Sequence, residues 1–498
     1  MKDLKQFEVW FVTGSQNLYG PETLRQVDED SKQIAKYLDD HKGISCKVVF
    51  KPVVTTTESI KQVCVDANNA ANCIGLMTWM HTFSPAKMWI AGLNALRKPF
   101  VHFHTQFNRD IPWATIDMDF MNLNQSAHGC REFGFICSRL RKNRKVVVGH
   151  WKDEEVIPRL DSWMRAACAW QDWQGMKICR FGDNMRYVAV TEGDKVEAEK
   201  KLGYSVNTYA VGDLVAIANK VTDKEVDKMV AEYKATYKVD IDEAGMKQVR
   251  ESARLEVALR TFMNDGGFKA FTNCFEDLHG MNQLPGLPTQ RLMADGFGYG
   301  AEGDWKTSAL VRAFKVMGTG LKGGSSFMED YTYHLDPKDT KVLGAHMLEV
   351  CGSMADGKAS LEVHPLGIGG KADPARLVFN VAEGKGLNAT MMDMGNRFRM
   401  LINPCDVVKA NEGLPNLPVA RVIWKPMPDL KTSAAAWILG GGTHHAAFSM
   451  AITKEHVEDF AAMADIEAMV IDEGTTISEF KKELRTNEVY YMLGGSLK

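Results

Sequence analysis

Paired cysteines are missing from this chain. Its ten cysteines, at positions 46, 64, 73, 130, 137, 168, 179, 274, 351 and 405, include no two spaced as C-x-x-C, which argues against a zinc ribbon or a thioredoxin-type motif. Most stand in apolar company, as Cys64 does in "KQVCVDA" and Cys179 in "MKICRF", the pattern of reduced core thiols in a reducing compartment. Charge of one sign is scarce too. With 25% charged residues and a net charge of −3, the chain has no field that would recruit nucleic acid or an anionic membrane. Long apolar runs are absent: "CIGLMTWM" falls far short of the roughly 20 residues of a membrane span. The first residues, "MKDLKQFEVWFVTG", carry no apolar signal-peptide region. A cytoplasmic, soluble protein is expected. At 498 residues it exceeds what one core organises, so roughly two to four domains are expected.

Several active-site motifs are also missing. "FVTGSQNLYG" puts Gly14 after a strand but offers no G-x-G-x-x-G, so a dinucleotide fingerprint is weak. "LGIGGKADPAR" lacks the first glycine of a Walker loop and the Ser or Thr after Lys371, so tight turns explain its glycines better. No G-x-S-x-G elbow occurs. Cys351 lies near His346, but "HMLEVC" alternates like a strand, and an odd separation puts the two side chains on opposite faces.

What is present is regular alternation. "FEVWFVTGS", "CKVVFKPVV", "CIGLMTWM" and "PFVHFHTQ" read as strands. Between them lie a helix over 22–41 that aligns Leu24, Val27, Ile34 and Leu38, a helix in "TESIKQVCVDANN" capped by Thr57, and one in "PAKMWIAGLNALR" with Pro85 in its first turn. Repeated β-α-β units imply a parallel sheet with sites at strand C-termini, where "TGSQNLYG", "MHTFSP" and "FHTQFN" fall. A second α/β region starts near 175, with strands in "MKICRFGDNM", "SVNTYAV" and "KAFTNCFED" and helices in "DEAGMKQVRESARLEVALRTFMND" and "GDWKTSALVRAFKVMG", the latter capped by Asp304. After about 325 short β-type runs punctuated by Gly, Asn and Pro predict an antiparallel sheet or barrel. Helices near 454–466 and 476–487 close the chain around the strand "EAMVID".

Carboxylates and histidines gather at the edges of these elements. Glu302 stands in the glycine-flanked turn "YGAEGDWK", Glu329 in "SSFMEDYTYH", His346 in the strand-like "LGAHMLEV", and His444 and His445 behind the triple glycine of "AWILGGGTHHAAFS". Two carboxylates and two imidazoles form a mixed O/N donor set suited to Mn²⁺, Fe²⁺, Co²⁺ or Ni²⁺ with positions left for substrate. Taken singly, each is equally at home as a capping, solvated or core residue.

At these residues the chain resembles the L-arabinose isomerase family. The likeness runs from "EVWFVTGSQNLYGPETLRQV" through "HTFSPAKMWIAGL", "DMDFMNLNQSAHGCREFGF", "RFGDNMRYVAVTEGDKVEA", "AEGDWKTSALVR", "GGSSFMEDYTYH" and "GAHMLEVC" to "AWILGGGTHHAAFS". The resemblance implies two Rossmann-like α/β domains followed by a β-rich, barrel-like domain with closing helices. With the changes of texture, this divides the chain at 1–175, 176–325 and 326–498. It implies a homohexamer with active sites at subunit interfaces. It also implies Mn²⁺, with Co²⁺ as a possible substitute, held by Glu302, Glu329, His346 and His445; the choice between His444 and His445 stays open. Gln16, Leu18, Met185, Phe275, Tyr331 and His444 fall at sugar-lining positions, and His128 at one offered by a neighbouring subunit.

The implied reaction interconverts L-arabinose and L-ribulose, with D-galactose to D-tagatose as a side activity. Glu302 and Glu329 would move protons through an enediol, and a metal-assisted hydride shift is the competing route. Three other readings compete: an isomerase preferring another sugar such as L-fucose, a sugar-binding protein without catalysis, and a non-haem iron oxygenase. Within "SSFMEDYTYH", Glu329 is expected at the metal and Tyr331 at the sugar, while Asp330 and His334 serve structure.

Overall fold

The structure, a computed structural model, describes residues 3–494. The chain forms two compact units, one running to Gln171 and including Glu458–Asp465, the other made of Asp172–Val457 and the chain from Ile466 onward.

In the N-terminal unit, strands β1 (Glu8–Gly14), β2 (Lys47–Phe50), β3 (Cys73–Met80), β4 (Phe100–His104) and β5 (Lys145–Val148) form one sheet in the order β2-β1-β3-β4-β5. Every pairing is parallel. Parallel neighbours need crossovers, and helices Gly20–Asp40 and Thr57–Asn69 supply the first two. All eight residues of β3 are buried, as a strand covered on both faces requires. The helix Gly20–Asp40 buries Val27, Ile34 and Leu38. Thr56, not Thr57, caps the next helix: its extended backbone precedes the first turn, and its Oγ1 accepts from the Ser59 N–H at 3.2 Å. "PAKMWIAGLNALR" splits into a 3₁₀ turn, Ala86–Trp89, and a short helix, Ile90–Ala95, with Pro85 before the turn rather than in it. The strand order reverses between β1 and β3, which is where such sheets open a crevice.

The second unit combines a parallel sheet and a barrel. Strands β6 (Lys177–Phe181), β7 (Ser205–Tyr209), β9 (Ala270–Asn273) and β10 (Gly298–Ala301) pair in parallel in the order β10-β9-β6-β7. The short β8 (Lys238–Val239) instead joins β13 (Ser360–Val363) and β14 (Ala375–Val378). The remaining strands are β11 (Ser325–His334), β12 (Lys341–Ala345), β15 (Gly384–Asp393), β16 (Phe398–Val408), β17 (Arg421–Pro426), β18 (His445–Ser449) and β19 (Glu467–Val470). Their order, β15-β18-β11-β12-β17-β16, closes through a β15–β16 pairing into a six-stranded barrel, with β19 added on β16. Thus the chain is mixed α/β: parallel sheets in the N-terminal and central parts, then a closed barrel. Closure removes the exposed edges an open antiparallel sheet would carry.

One helix joins the central sheet to the barrel. Trp305–Met317 is buried on nearly every side and packs against β10 and β9 on one hand and β11, β15 and β18 on the other. Asp304 caps it, accepting from the N–H groups of Lys306 and Thr307. Behind the barrel, Leu401, Trp437, Met469 and Phe480 form a core under the closing helix Ile477–Gly494.

Candidate active site

The candidate residues of the second unit stand at the C-terminal ends of central strands and on three adjoining barrel strands. Met185 follows β6, Phe275 follows β9 and Glu302 follows β10, the edge where open parallel sheets bind ligands. On the barrel side, Glu329 of β11 lies directly opposite His445 of β18 and Ala345 of β12. The ladder register therefore brings Glu329, His445 and the residue after Ala345, His346, together.

Strand β12 ends at Ala345, so "HMLEVC" is a turn, not the strand its alternation suggests. Side-chain bonds hold the turn: Glu349 bonds His346 Nδ1 and the Leu348 N–H, and Arg376 donates to the Met347 carbonyl. Cys351 is engaged elsewhere, accepting from Lys315 Nζ at 3.0 Å.

The four donors form a continuous chain of contacts. Glu329 Oε1 lies 3.2 Å from His346 Nε2 and 3.4 Å from His445 Nε2, and Glu302 Oε2 lies 3.6 Å from the same His445 nitrogen. Glu302, His444 and His445 also offer donor atoms within 4.8 Å of one another. Glu302 is held in the left-handed region, at φ 61°, and Gly303 follows at φ 87°. A Cβ on Gly303 would meet Asn184 Cα at 2.6 Å, so only glycine fits there. The turn is clamped by a bond from the Met185 N–H to the Glu302 carbonyl at 2.9 Å. A non-glycine residue at positive φ costs on the order of 1–3 kcal/mol and persists where the surroundings over-determine it.

Two further carboxylates orient the imidazoles. Asp304 Oδ2 bonds His445 Nδ1 at 3.1 Å, and Glu349 bonds His346 Nδ1. His445 Nε2 is fully buried and makes no well-formed hydrogen bond, although two carboxylate oxygens face it. Two carboxylates around one buried nitrogen repel each other unless a positive charge, a proton on the ring or a bound cation, stands among them. The donor set therefore fits a divalent cation, with Asp304 and Glu349 in the supporting role that carboxylates play behind metal-binding histidines. Neither orienting role was apparent in the sequence; the available signal was an acidic residue two or three positions from a candidate ligand.

The electrostatics agree. Burial alone would raise the Glu329 carboxyl, but His346 and His445 outweigh it and hold it well below the usual range. Burial likewise opposes charge on His445, yet the nearby carboxylates of Asp304, Glu302 and Glu329 lift it to about 10. Against the same opposition, Glu349 and Glu329 lift His346 well above its ordinary value. His444 beside them is lowered by partial desolvation of its ring and by His445. Without a metal the site holds protons tightly, and a divalent cation would have to displace them.

A cavity of about 270 Å³ opens onto this cluster, lined by Met185, Phe275, Glu302, Glu329, Tyr331, His346 and His444. His445 lies behind them. Leu284, Leu348, Leu366 and Ile368 complete an apolar wall that the sequence reading did not single out. On β11 the ladder is irregular between Asp330 and Thr332: Tyr331 stays on the cavity side, whereas Asp330 turns toward Tyr333, Asn388 and Asn403. The Tyr333 hydroxyl donates to Asp330 at 3.0 Å. Gln16, Leu18 and His128 belong to the N-terminal unit. Gln16 follows β1 at the reversal of strand order, Leu18 is 82% exposed, and His128 is exposed on helix Ser126–Arg139.

Three domain models match the chain in sequence: L-arabinose isomerase N-terminal domain over residues 3–175, central domain over 177–320 and C-terminal domain over 324–467. The chain belongs to the L-arabinose isomerase family. It is 59% identical over 501 residues to L-arabinose isomerase of Herpetosiphon aurantiacus, covering all of both chains. With the Koribacter versatilis enzyme of that name it shares 60% identity over 499 residues, 99% of this chain and 100% of the relative. The figure for Geobacillus stearothermophilus is 57% over 497 residues, 99% of each. As a member of the L-arabinose isomerase family the chain is an enzyme, a sugar isomerase, and so an intramolecular oxidoreductase.

Proposed function

We propose that this enzyme interconverts L-arabinose and L-ribulose, at a centre where Glu302, Glu329, His346 and His445 hold a divalent cation, Mn²⁺ or in its place Co²⁺. The observation that carries the reading is the buried, unbonded His445 Nε2 facing Glu302 and Glu329 at 3.6 and 3.4 Å. The name shared by full-length relatives supports the choice of sugar. When bound, the cation supplies Lewis acidity toward the oxygens of the open-chain sugar.

The protein's own groups divide the remaining work. Among the described residues the Glu302 carboxylate makes one ion-pair approach, to His445 at 3.6 Å, so it is the freer carboxylate and takes the proton from C2. Glu329, fixed through one oxygen by both histidines, serves the oxygen end. Tyr331 and His444 meet hydroxyls, and Met185, Phe275 and the leucine wall exclude water. D-Galactose has the configuration of L-arabinose at C2 to C4 with one more hydroxymethyl group, so its conversion to D-tagatose is the expected side activity.

The same reading divides the chain into domains at 1–175, 176–325 and 326–498, in line with the extents of the first sheet, the second sheet and the barrel. It also has the enzyme working in the cytoplasm as a homohexamer, with Gln16 and Leu18 at the sugar and His128 offered to a neighbouring subunit. Ten buried free thiols support a reducing compartment. Exposed Trp113, Met118 and Met121 beside His128 in sequence support a covered surface.

The test is L-ribulose formation by purified protein in EDTA and after Mn²⁺ addition, for wild type and Glu329→Gln. Ketose is expected only from metal-restored wild type. No ketose from L-arabinose under any condition would sink the reading. Solvent tritium at C1 of the product supports proton transfer, whereas full retention of substrate hydrogen would assign a hydride shift.

A further inference from the structure

A second cavity, of about 260 Å³, lies within the N-terminal unit and shares no residue with the isomerase cavity. Four cationic side chains line it: Arg97, Lys98, Arg144 and Lys145. Asp459 supplies its one carboxylate. That carboxylate is engaged by Lys145 Nζ at 2.6 Å and by the Ser162 hydroxyl at 2.9 Å. Among the described residues, no carboxylate pairs with Arg97, Lys98 or Arg144.

Lys98 and Arg144 bond only neutral acceptors. Lys98 Nζ donates to Gln171 Oε1 at 2.7 Å, which leaves two of its protons for a ligand. The Arg144 guanidinium donates to the carbonyls of Lys142 and Gly134 and to the Ser138 hydroxyl, while its Nε is buried without a partner. Burial also pushes the Lys98 ammonium below its ordinary value, a cost that a bound anion would offset. The walls are of a different kind. Trp163, buried, and Trp170, partly exposed, line the same cavity, and the Trp170 indole suits the C–H surfaces of a small carbohydrate.

We propose that this cavity binds a phosphate monoester of a small sugar, with the phosphate against Lys98, Arg97 and Arg144 and the carbon skeleton against the Trp170 indole. A dianionic phosphate has the charge and the acceptor count to satisfy the Arg97 fork, the Lys98 ammonium and the protons Arg144 has left. The volume lies just below the roughly 300–1,000 Å³ of ordinary small-molecule pockets, which fits a monosaccharide phosphate.

Calorimetric titration of the full-length, metal-free protein tests this, with ribose 5-phosphate as probe and inorganic phosphate and ribose as comparisons. Ribose 5-phosphate is expected to bind once per chain, about tenfold or more tighter than inorganic phosphate, and ribose not to bind. Lys98→Gln is expected to weaken binding by about tenfold and Arg97→Gln by several-fold, at unchanged melting temperature. Glu329→Gln should bind like wild type. The proposal is overturned by no binding, by equal affinity for inorganic phosphate, by undiminished binding in Lys98→Gln, or by loss of binding in Glu329→Gln.

Discussion

His102 and His104 on β4 and His346 and His445 beside the barrel are all withdrawn from water, yet their charge states differ. On β4 nothing offsets burial: His102 is pushed down to about 3 by desolvation, then by His104 and Arg144, and its Nε2 has no partner. His104 is lowered by burial and by Arg131. At the barrel each imidazole stands between carboxylates, which overturn the same burial penalty. The residue type is therefore uninformative by itself. What separates a core histidine from a metal-site histidine is the anion on each ring nitrogen.

The largest expected effect comes from removing the carboxylates that define the difference. Glu302→Gln and Glu329→Gln each keep the volume and lose the charge, and steady-state kinetics should show kcat falling by about 10²–10⁴-fold, the range for a positioned acid or base. A loss confined to KM would mean these groups only bind sugar. Next come the orienting carboxylates. Asp304→Asn and Glu349→Gln should weaken Mn²⁺ binding by about 10–100-fold, read by calorimetry. An unchanged affinity would reduce both to capping and turn-forming roles.

The β4 side is sharpened by acid. His102 is depressed in the folded state, so the stability tied to its neutral form is full above the unfolded value near 6.5 and declines as pH falls toward about 3. Each unit of such a shift corresponds to about 1.4 kcal/mol. His102→Phe should therefore flatten the fall in melting temperature between pH 6.5 and 4, and an unchanged slope would acquit His102. The smallest effect belongs to Asp330, raised to about 6 chiefly by burial. A raised carboxyl contributes stability below its unfolded value near 3.9 and loses it as pH rises through about 6. Asp330→Asn, which keeps an acceptor for Tyr333, should add on the order of 1 kcal/mol at pH 8 and nothing at pH 4.

Legibility in the sequence followed the range of the interactions. "CIGLMTWM" read as a buried strand because burial on both faces needs only a local apolar run. The change to barrel texture after about 325 was readable for the same reason, from short runs between turn residues. "HMLEVC" misled because alternation cannot reveal that Glu349 and Arg376 bend it into a turn. In "SSFMEDYTYH" the strand bears Glu329 and Tyr331 toward the cavity and Asp330 away from it, a division visible only once β12 and β18 are paired alongside. Asp304 read as a helix cap, which it is. Its second task depends on His445, which lies 141 residues further along the chain.

Titration of chelator-stripped protein with Mn²⁺ tests the central claim most directly. The account predicts one ion per chain, taken up with release of protons because His346 and His445 are protonated without it, and no such binding in a Glu329→Gln, His445→Ala double variant that still melts cooperatively. Equal Mn²⁺ stoichiometry and affinity in that variant, or none in wild type, would contradict it.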